Sequence, residues 1–354
     1  MNSSDNTISP LATSRRSSST RTSSLTLRPV WRAWSWLDVT RGTTPSRAAW
    51  SVAALLLISV VACHGLRGPG AELGISPELD ERGQDGASMA WIPAGSFLRG
   101  STWGEVEYAF LMCEDARPGQ CRRPWYLIEA PQAEVTLDAF WIDVHEVTNA
   151  RYQACVDAGA CPEREWASCQ LWDTGGWRVS LPDEDVAARF GAARQPAVCV
   201  TWDNAGAYCR WAGKRLPTEA EWEKAARGPA GWLFPWGNAG VDCDRARHHS
   251  PDQEEPGCGV GATAPVGSAP TGMSAYGLMD AAGNASEWVQ DFEDPGFYAR
   301  SPTSNPINDQ ESAARVVRGG SWASDPSVLR STSRGGFAPN HHNVYTGFRC
   351  AADP

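Results

Sequence analysis

The pattern of hydrophobic and polar positions is most regular between residues 213 and 228. One helix face recurs there at i, i+3 and i+4: Trp222, Ala225 and Ala226. Thr218 stands three residues before Glu221, which is the spacing of a capping box. Gly228 can take the left-handed conformation that ends a helix. The stretch therefore predicts a capped helix from Thr218 to Gly228.

Weaker patterns on either side predict a few more short elements. Strand-like alternation covers residues 90–97 (broken at Pro93 and Gly95), 134–147, 315–321 and 346–350. Thr148 and Thr201 can each cap the first turn of a helix. From residue 229 to about 306, Gly, Pro, Asn and Asp dominate, and a loop-rich segment of this length needs disulfides or a bound ion to hold it. The chain is therefore predicted to be α+β, with little regular secondary structure.

The N-terminal residues differ in kind from the rest of the chain. Residues 1–45 are rich in Ser, Thr and Arg, so we expect a disordered leader, which a start site assigned too early would also explain. Residues 46–62 hold an apolar run behind Arg47, typical of the h-region of a signal peptide and too short to span a bilayer. Residues 63–86 are then predicted to be a tether, and residues 87–354 one folded domain.

Cys63 directly follows this apolar run. The sequence Val60-Val61-Ala62-Cys63 resembles a bacterial lipobox, in which Cys63 would be lipidated and become the mature N-terminus. The pattern predicts an exported lipoprotein of the bacterial cell envelope, held at the membrane by its lipid and facing an oxidising compartment. An ordinary cleaved signal peptide or an N-terminal anchor is the alternative.

Composition excludes one class of partner. The 354-residue chain has a formal net charge of -10, whereas a nucleic-acid surface needs a basic stripe, so no nucleic-acid partner is expected. Eighteen Trp residues favour a fold held by aromatic packing with polar edges that need partners.

The cysteines support export. Besides Cys63 there are ten, an even set that indicates five disulfides in an exported chain. Spacing suggests three local loops: Cys113–Cys121, Cys155–Cys161 and Cys243–Cys258. Some of these cysteines could instead be free thiols, since connectivity does not follow from sequence. No pair has C-x-x-C spacing, which argues against a zinc site.

Several segments together resemble one known family. They are WIPAGSF at 91–97, EVTN at 146–149, GKRLPTEAEWE at 213–223, FPWGN at 234–238, YGLMD at 276–280, GNASEW at 283–288, RGGSW at 318–322 and GFRC at 347–350. Their order and spacing resemble the sulfatase-modifying-factor domain of formylglycine-generating enzymes, from about Met89 to Cys350. The resemblance implies a compact α+β fold related to C-type lectins. It also implies a Cys209–Cys350 disulfide, which leaves Cys169 to pair with Cys199.

The resemblance implies an activity whose ligands are missing here. Formylglycine-generating enzymes bind copper through two cysteines after the Gly-Gly-Ser segment, and thiolates suit Cu(I). Ser324 stands at the first of these positions, and the second has no counterpart. Ser321 matches a serine near the family's active site, although bonding to nearby backbone is its expected role. Ser286 replaces a family tryptophan. Copper is therefore not expected as a cofactor.

The resemblance also implies a calcium site. The family pattern Asn-x-x-Gly-x-Ala-x-Glu is matched by Asp280, Gly283, Ala285 and Glu287, with Asp in place of Asn. Carboxylate and carbonyl oxygens are the ligands that Ca²⁺ prefers. The alternative is a polar turn in which Glu287 bonds to backbone.

Two readings of the function remain open. The first is a binding or interaction module whose loops contact an unknown protein, peptide or small-molecule ligand. The second is an enzyme of the same family, either with altered chemistry or still an oxidase with relocated copper ligands. Family topology would line its cleft with polar side chains: Arg318, Arg330, Arg334, Asn340, His341 and His342.

Overall fold

The structure is a computed structural model that describes Gly70 and residues 73–173, 176–179 and 183–354. The predicted leader, the signal segment and Cys63 lie outside the described residues. The strands are β1 (Leu79–Arg82), β2 (Ala87–Ile92), β3 (Gly95–Arg99), β4 (Ala133–Leu137), β5 (Phe140–Asp143), β6 (Gln170–Asp173), β7 (Gly176–Val179), β8 (Ser286–Phe292), β9 (Arg315–Arg318), β10 (Arg334–Phe337), β11 (Thr346–Phe348) and β12 (Ala351–Ala352). The helices are α1 (Trp103–Ala116), α2 (Pro124–Leu127), α3 (Asn149–Asp157), α4 (Asp183–Phe190), α5 (Trp202–Trp211) and α6 (Glu219–Arg227).

Two four-stranded sheets and two two-stranded sheets contain these strands. The first sheet is antiparallel in the order β1-β2-β5-β12, and the second has the order β10-β9-β8-β11 with β8 and β11 parallel. The two-stranded sheets are the antiparallel pairs β3–β4, whose connection contains α1 and α2, and β6–β7. The predicted α+β class is confirmed, and long loops connect these short elements as expected.

Helix α6 ends where the sequence predicts. Thr218 Oγ1 accepts from the Glu221 amide at 3.2 Å, and Glu221 Oε2 accepts from the Thr218 amide at 2.8 Å. Gly228 closes the helix with φ 69°. All nine residues of α6 are buried, not only the predicted apolar face. The helix is therefore an interior element, although it is rich in charge.

The main core forms around α6. Trp222 and Ala225 pack in one cluster with Ile92 and Ile142 of the first sheet and with Val316 of the second. A second cluster joins α3, α5 and the second sheet. The predicted caps of α3 and α5 are confirmed, since the Thr148 and Thr201 hydroxyls accept from backbone amides.

The folded domain begins earlier than the predicted residue 87. Strand β1 lies within the predicted tether and pairs with β2 along its whole length. Asp85 accepts hydrogen bonds from Lys214 Nζ at 2.8 and 3.1 Å, and both side chains are fully buried. A tether would leave Asp85 in water. The structure thus corrects the predicted boundary and moves residues 79–86 into the fold.

Five disulfides link the described cysteines. The pairs are Cys113–Cys121, Cys155–Cys161, Cys169–Cys199, Cys209–Cys350 and Cys243–Cys258. These are the pairs expected from spacing and from the family resemblance. Cys209–Cys350 joins α5 to the C-terminal strands across a separation of 141 residues, so it closes about half of the domain into one loop.

Candidate functional site

A cavity of about 440 Å³ opens between β9, β10 and the loop that follows β9. Its lining is mostly glycine, serine and apolar side chains: Ser286, Val317, Arg318, Gly319, Gly320, Ser321, Ala323, Ser324, Val328, Ser333, Arg334, Gly335, Gly336, Phe337 and Tyr345. Volumes of this size hold small ligands in proteins. Ser324, the residue at the position of the family's first copper-binding cysteine, is therefore part of a cavity wall.

Two serines lie side by side in this wall. The Ser321 amide donates to Ser324 Oγ at 2.9 Å, and the two hydroxyl oxygens are 3.3 Å apart. Gly319 and Gly320 hold φ of 86° and 68°, which favours glycine and turns the chain sharply before the serines. A Cβ on Gly320 would also come within 2.9 Å of the Leu329 side chain. The loop conformation thus fixes both hydroxyls at the cavity.

The two arginines of the cavity wall have carboxylate partners behind it. Arg318 Nη2 donates to Glu223 at 2.8 Å, and Arg334 forms two bonds to Glu219 at 2.7 and 2.8 Å. Burial alone would raise the pKa of Glu219, but Arg334 and Arg318 outweigh it and hold that pKa below its usual value. The cavity is therefore nearly neutral despite its two guanidinium groups.

The remaining residues of the predicted cleft lie elsewhere. Arg330 is fully buried and binds Glu129 through both terminal nitrogens, at 2.7 and 2.6 Å. His342 lies 2.8 Å from the Ser168 hydroxyl, and the His341 ring stacks on Phe337 with 4.8 Å between ring centroids. Asn340, His341 and His342 are not among the lining residues. The predicted cleft is thus corrected: of its six residues, only Arg318 and Arg334 line the cavity.

Of the predicted calcium residues, Asp280, Gly283 and Ala285 lie in a buried loop, and Glu287 lies at the start of β8. Glu287 accepts from Arg349 Nε and Nη2 at 2.7 and 2.8 Å and from the Trp222 indole at 2.7 Å. Asp280 accepts from the Gly267 amide at 2.5 Å, and burial raises the pKa of Asp280 to about 6. Both oxygens of Glu287 therefore have an arginine partner already.

Glu146 adds a third buried carboxylate that the sequence analysis did not single out. It accepts from Asn284 Nδ2 and from the Ala285 amide, both at 2.8 Å. Burial, reinforced by the charges of Asp280 and Glu287, raises the pKa of Glu146 well above its usual value. Among the described residues, the carboxylate oxygens of Glu146, Asp280 and Glu287 do not all lie within 4.8 Å of one another, so they do not form a ready set of three side-chain ligands. Calcium stays a prediction, with Asp280 as its most available ligand.

In the part of the chain that the structure describes, a histidine beside a disulfide is the one group of three His, Cys, Asp or Glu side chains whose potential ligand atoms lie close together. His248 Nδ1 lies 3.7 Å from Cys258 Sγ, and Cys243 completes the group. The Sγ atoms of Cys243 and Cys258 form a disulfide bond. His248 Nδ1 also lies 3.0 Å from the Ala246 carbonyl oxygen. Neither sulfur is a thiolate, so this group is a disulfide with a neighbouring imidazole.

With the fold and the cavity described, comparison with known proteins identifies the family. The model of the "Sulfatase-modifying factor enzyme 1-like domain" matches residues 76–354, so the chain belongs to that family. The chain is 37% identical over 299 residues to a "Formylglycine-generating enzyme" of Streptomyces coelicolor, covering 74% of this chain and 88% of the relative. It is 33% identical to "Hercynine oxygenase" of Mycolicibacterium smegmatis, covering 64% of this chain and 55% of that protein.

A solved structure shows the same fold. PvdO from Pseudomonas aeruginosa is 26% identical and superposes with a TM-score of 0.59, covering 79% of this chain and all of that one. The formylglycine-generating-enzyme-like fold expected from the sequence is thereby confirmed. The family includes enzymes, and what the cavity of this chain does depends on its own residues.

Proposed function

We propose that the protein is an exported lipoprotein whose domain binds a ligand in the cavity and does not carry out thiolate–copper oxidation. The lipid would be attached to Cys63. The domain would face an oxidising compartment, which agrees with five disulfides. Among the described helices, none has the length and apolar character needed to cross a bilayer.

The proposal rests on the disulfide bonds of the described cysteines. All ten cysteines in the described residues are in disulfides, and the cavity wall offers the hydroxyls of Ser321 and Ser324. Cu(I) prefers thiolates, and a serine hydroxyl is a poor substitute for one. The described residues therefore supply a shaped cavity without the soft ligands that the family's oxidation chemistry uses.

The cavity lining suggests the chemistry of the ligand. Phe337, Tyr345 and Val317 give it apolar walls, and the two serines give it hydroxyl groups on one side. Its guanidinium groups are neutralised by Glu219 and Glu223. We therefore expect a small uncharged ligand or peptide side chain with an aromatic or aliphatic body and one hydrogen-bonding group.

The test fills the cavity from a position that tolerates a side chain. A Cβ on Gly335 would meet only Val317, at 3.8 Å, so Gly335→Leu should fold and occupy the cavity. Gly240→Leu is the matched control, because a Cβ at that exposed glycine meets nothing within 4 Å. With phenol as the probe, saturation-transfer NMR should detect binding to the wild type and to Gly240→Leu, and little to Gly335→Leu. Equal transfer to all three proteins would refute binding in this cavity.

Copper provides a second arm of the same test. Anaerobic Cu(I) titration of the full chain should give no tight one-to-one complex, because the described residues offer no free thiol. Tight stoichiometric binding would instead restore the oxidase interpretation.

A separate experiment tests the lipid on Cys63. Globomycin blocks lipoprotein signal cleavage and should therefore cause the unprocessed form to accumulate. If neither globomycin nor Cys63→Ala changes the processing, lipidation is refuted.

The competing proposal is an enzyme with altered chemistry in the same cavity, which the enzymatic relatives favour. A serine nucleophile needs a general base within hydrogen-bonding distance. In the described residues, the hydrogen bonds of Ser321 and Ser324 run to each other and to local backbone. We therefore rank binding above catalysis.

A further inference from the structure

Exposed apolar side chains are concentrated in one part of the fold. Nine large hydrophobic side chains of the described residues are exposed, and eight of them lie between residues 73 and 127. Six belong to α1, α2 and the strand before them: Leu98, Trp103, Tyr108, Leu111, Trp125 and Leu127. We call these six residues the docking surface. Single exposed hydrophobic residues are ordinary, but six on successive elements, of which α1 and α2 contact each other, mark a candidate interaction site.

Helix α1 is apolar on two faces. Its inner face packs in a small core of its own through Val106, Ala109 and Cys113. Its most exposed stripe has the spacing i, i+4, i+7 and i+11: Gly104, Tyr108, Leu111 and Asp115. A helix that buries one face normally turns polar residues to water on the other. Tyr108 and Leu111, 51% and 54% exposed, depart from this rule.

The docking surface is held rigidly, so its exposure is not a result of loose packing. Thr102 and Glu105 form a capping box at the start of α1, and Cys113–Cys121 ties its end to the loop before α2. Arg123 pairs with Glu107 at 2.8 Å and lies 3.9 Å over the Phe110 ring. These contacts fix the helices and leave their outer apolar side chains without cover among the described residues.

The chemistry of the docking surface fits the boundary of a lipid bilayer. Trp103, Tyr108 and Trp125 are amphipathic aromatics, which concentrate where hydrocarbon meets headgroups. Arg122 is exposed near Trp125 and can direct its charge towards phosphates, whereas Arg123 is already paired with Glu107. A protein partner would also cover apolar groups, but the position of Gly70, seven residues after Cys63, favours the membrane.

The chain enters the domain close to this surface. Gly70 lies against Ala275, which in turn contacts Gly228, and Gly231 is next to Leu98 of the docking surface. Gly70 follows Cys63 by seven positions, and seven residues reach at most about 25 Å when fully extended. A lipid on Cys63 would therefore keep this side of the domain near the bilayer.

We propose that the docking surface rests on the membrane that carries the lipid anchor, with its Trp and Leu side chains inserted at the headgroup boundary. This step relies on the membrane anchoring in the proposed function but not on the cavity. The contact would hold the domain in one orientation. Ligand binding in the cavity would then occur at a fixed position relative to the bilayer.

The experiment separates the docking surface from the anchor. The full chain receives a sequence-specific protease site between His64 and Gly70 and is reconstituted in vesicles of phosphatidylethanolamine and phosphatidylglycerol. After cleavage, the wild-type domain should still sediment with the vesicles. Trp103→Ser combined with Leu111→Ser should lower the vesicle partition coefficient about tenfold. Val260→Ser, which alters an equally exposed residue outside the docking surface, should not.

Each other outcome overturns the inference. Complete release of the wild-type domain, or equal retention of the double variant, would show that the surface does not bind lipid. Retention on native membranes with none on pure-lipid vesicles would assign the surface to a protein partner. Circular dichroism should show that the variants remain folded, because the altered side chains are exposed. Gly335→Leu should remain bound, so loss of cavity binding and loss of membrane contact can be distinguished.

Discussion

Helices α6 and α1 reverse the usual relation between polarity and position. Five of the nine residues of α6 are charged, and the whole helix is buried. Helix α1 is more apolar, and it turns Tyr108 and Leu111 to the outside. The charges of α6 can be interior because each has a partner; Lys224, for example, donates to the Pro93 and Gly95 carbonyls at 2.7 and 2.9 Å. Charged side chains of α6 are buried because each has a hydrogen-bonding or ionic partner, so hydropathy alone does not predict their burial.

The largest difference between the core and the α1 region is expected in the free energy of unfolding that is lost when a disulfide is removed. Cys209–Cys350 closes a separation of 141 residues in the core, whereas Cys113–Cys121 closes 8 residues at α1. Chain entropy predicts that replacing both cysteines by serine costs about 4–5 kcal/mol for the first pair and about 2–3 kcal/mol for the second. Urea unfolding of the two double-serine variants measures both. Equal losses would mean that loop length does not govern these disulfides.

The ion pairs provide the next test. Arg318 is fully buried between Glu219 and Glu223, so Arg318→Met should cost about 3–5 kcal/mol, because Glu223 loses its closest guanidinium partner and Glu219 is left with Arg334 alone. Arg123→Met removes the same side chain from an exposed pair with Glu107 near α1 and should lower the stability far less, because water solvates both charges. Chemical denaturation compares them directly. Similar losses would refute the view that the interior charges depend on their pairing.

The third test concerns calcium at Asp280, where a bound cation would pair with a buried carboxylate. If Asp280 binds calcium, the ion adds about 2.7 kcal/mol at a hundredfold excess over its Kd. A chelator should then lower the melting temperature, and calcium should restore it better than magnesium, which demands a tighter octahedral shell. Asp280→Ala should abolish the response, whereas Asp115→Ala on the outside of α1 should retain it. A melting curve of metal-free protein that calcium does not shift would leave Asp280 a turn residue.

The smallest effect concerns a buried base. Burial, then the charges of Arg349, Arg151 and Arg194, lowers the pKa of His145 to about 4. The unfolded chain binds this proton below about pH 6.5, so the stability that neutral His145 allows is lost as pH falls from 6.5 towards 4. Between pH 7 and pH 5 the wild type should lose about 1–2 kcal/mol relative to His145→Asn. Urea unfolding at both pH values measures this. An equal change in the free energy of unfolding of the two proteins would contradict the prediction.

Local signals made the capped helices predictable. Thr218 with Glu221 and Thr148 and Thr201 act through hydrogen bonds within one turn, so their sequence spacing is sufficient to place a helix start. Helix α1 was missed although it has the same capping box, because both its faces are apolar and give little periodic contrast. Strand β8 was missed because residues on both of its faces are buried, so it does not alternate.

The candidate site was predictable only in part. The Gly-Gly-Ser segment located the cavity and the exchange of cysteine for serine at Ser324. Arg330 and His342 are as polar as Arg334, and nothing in the sequence shows that they bind Glu129 and Ser168 instead. Those partners lie 201 and 174 positions away along the chain, beyond any local pattern.

By itself, the sequence determined the family, the capped helices and a set of cysteines suited to five disulfides, because motifs and caps act over short distances. Only the tertiary structure decided which charges are neutralised, which arginines reach the cavity and which apolar residues remain outside. Glu146 became part of the acidic turn, and Leu111 part of the docking surface, through packing between distant segments. Burial and pairing belong to the folded chain, since both depend on neighbours that sequence spacing does not specify.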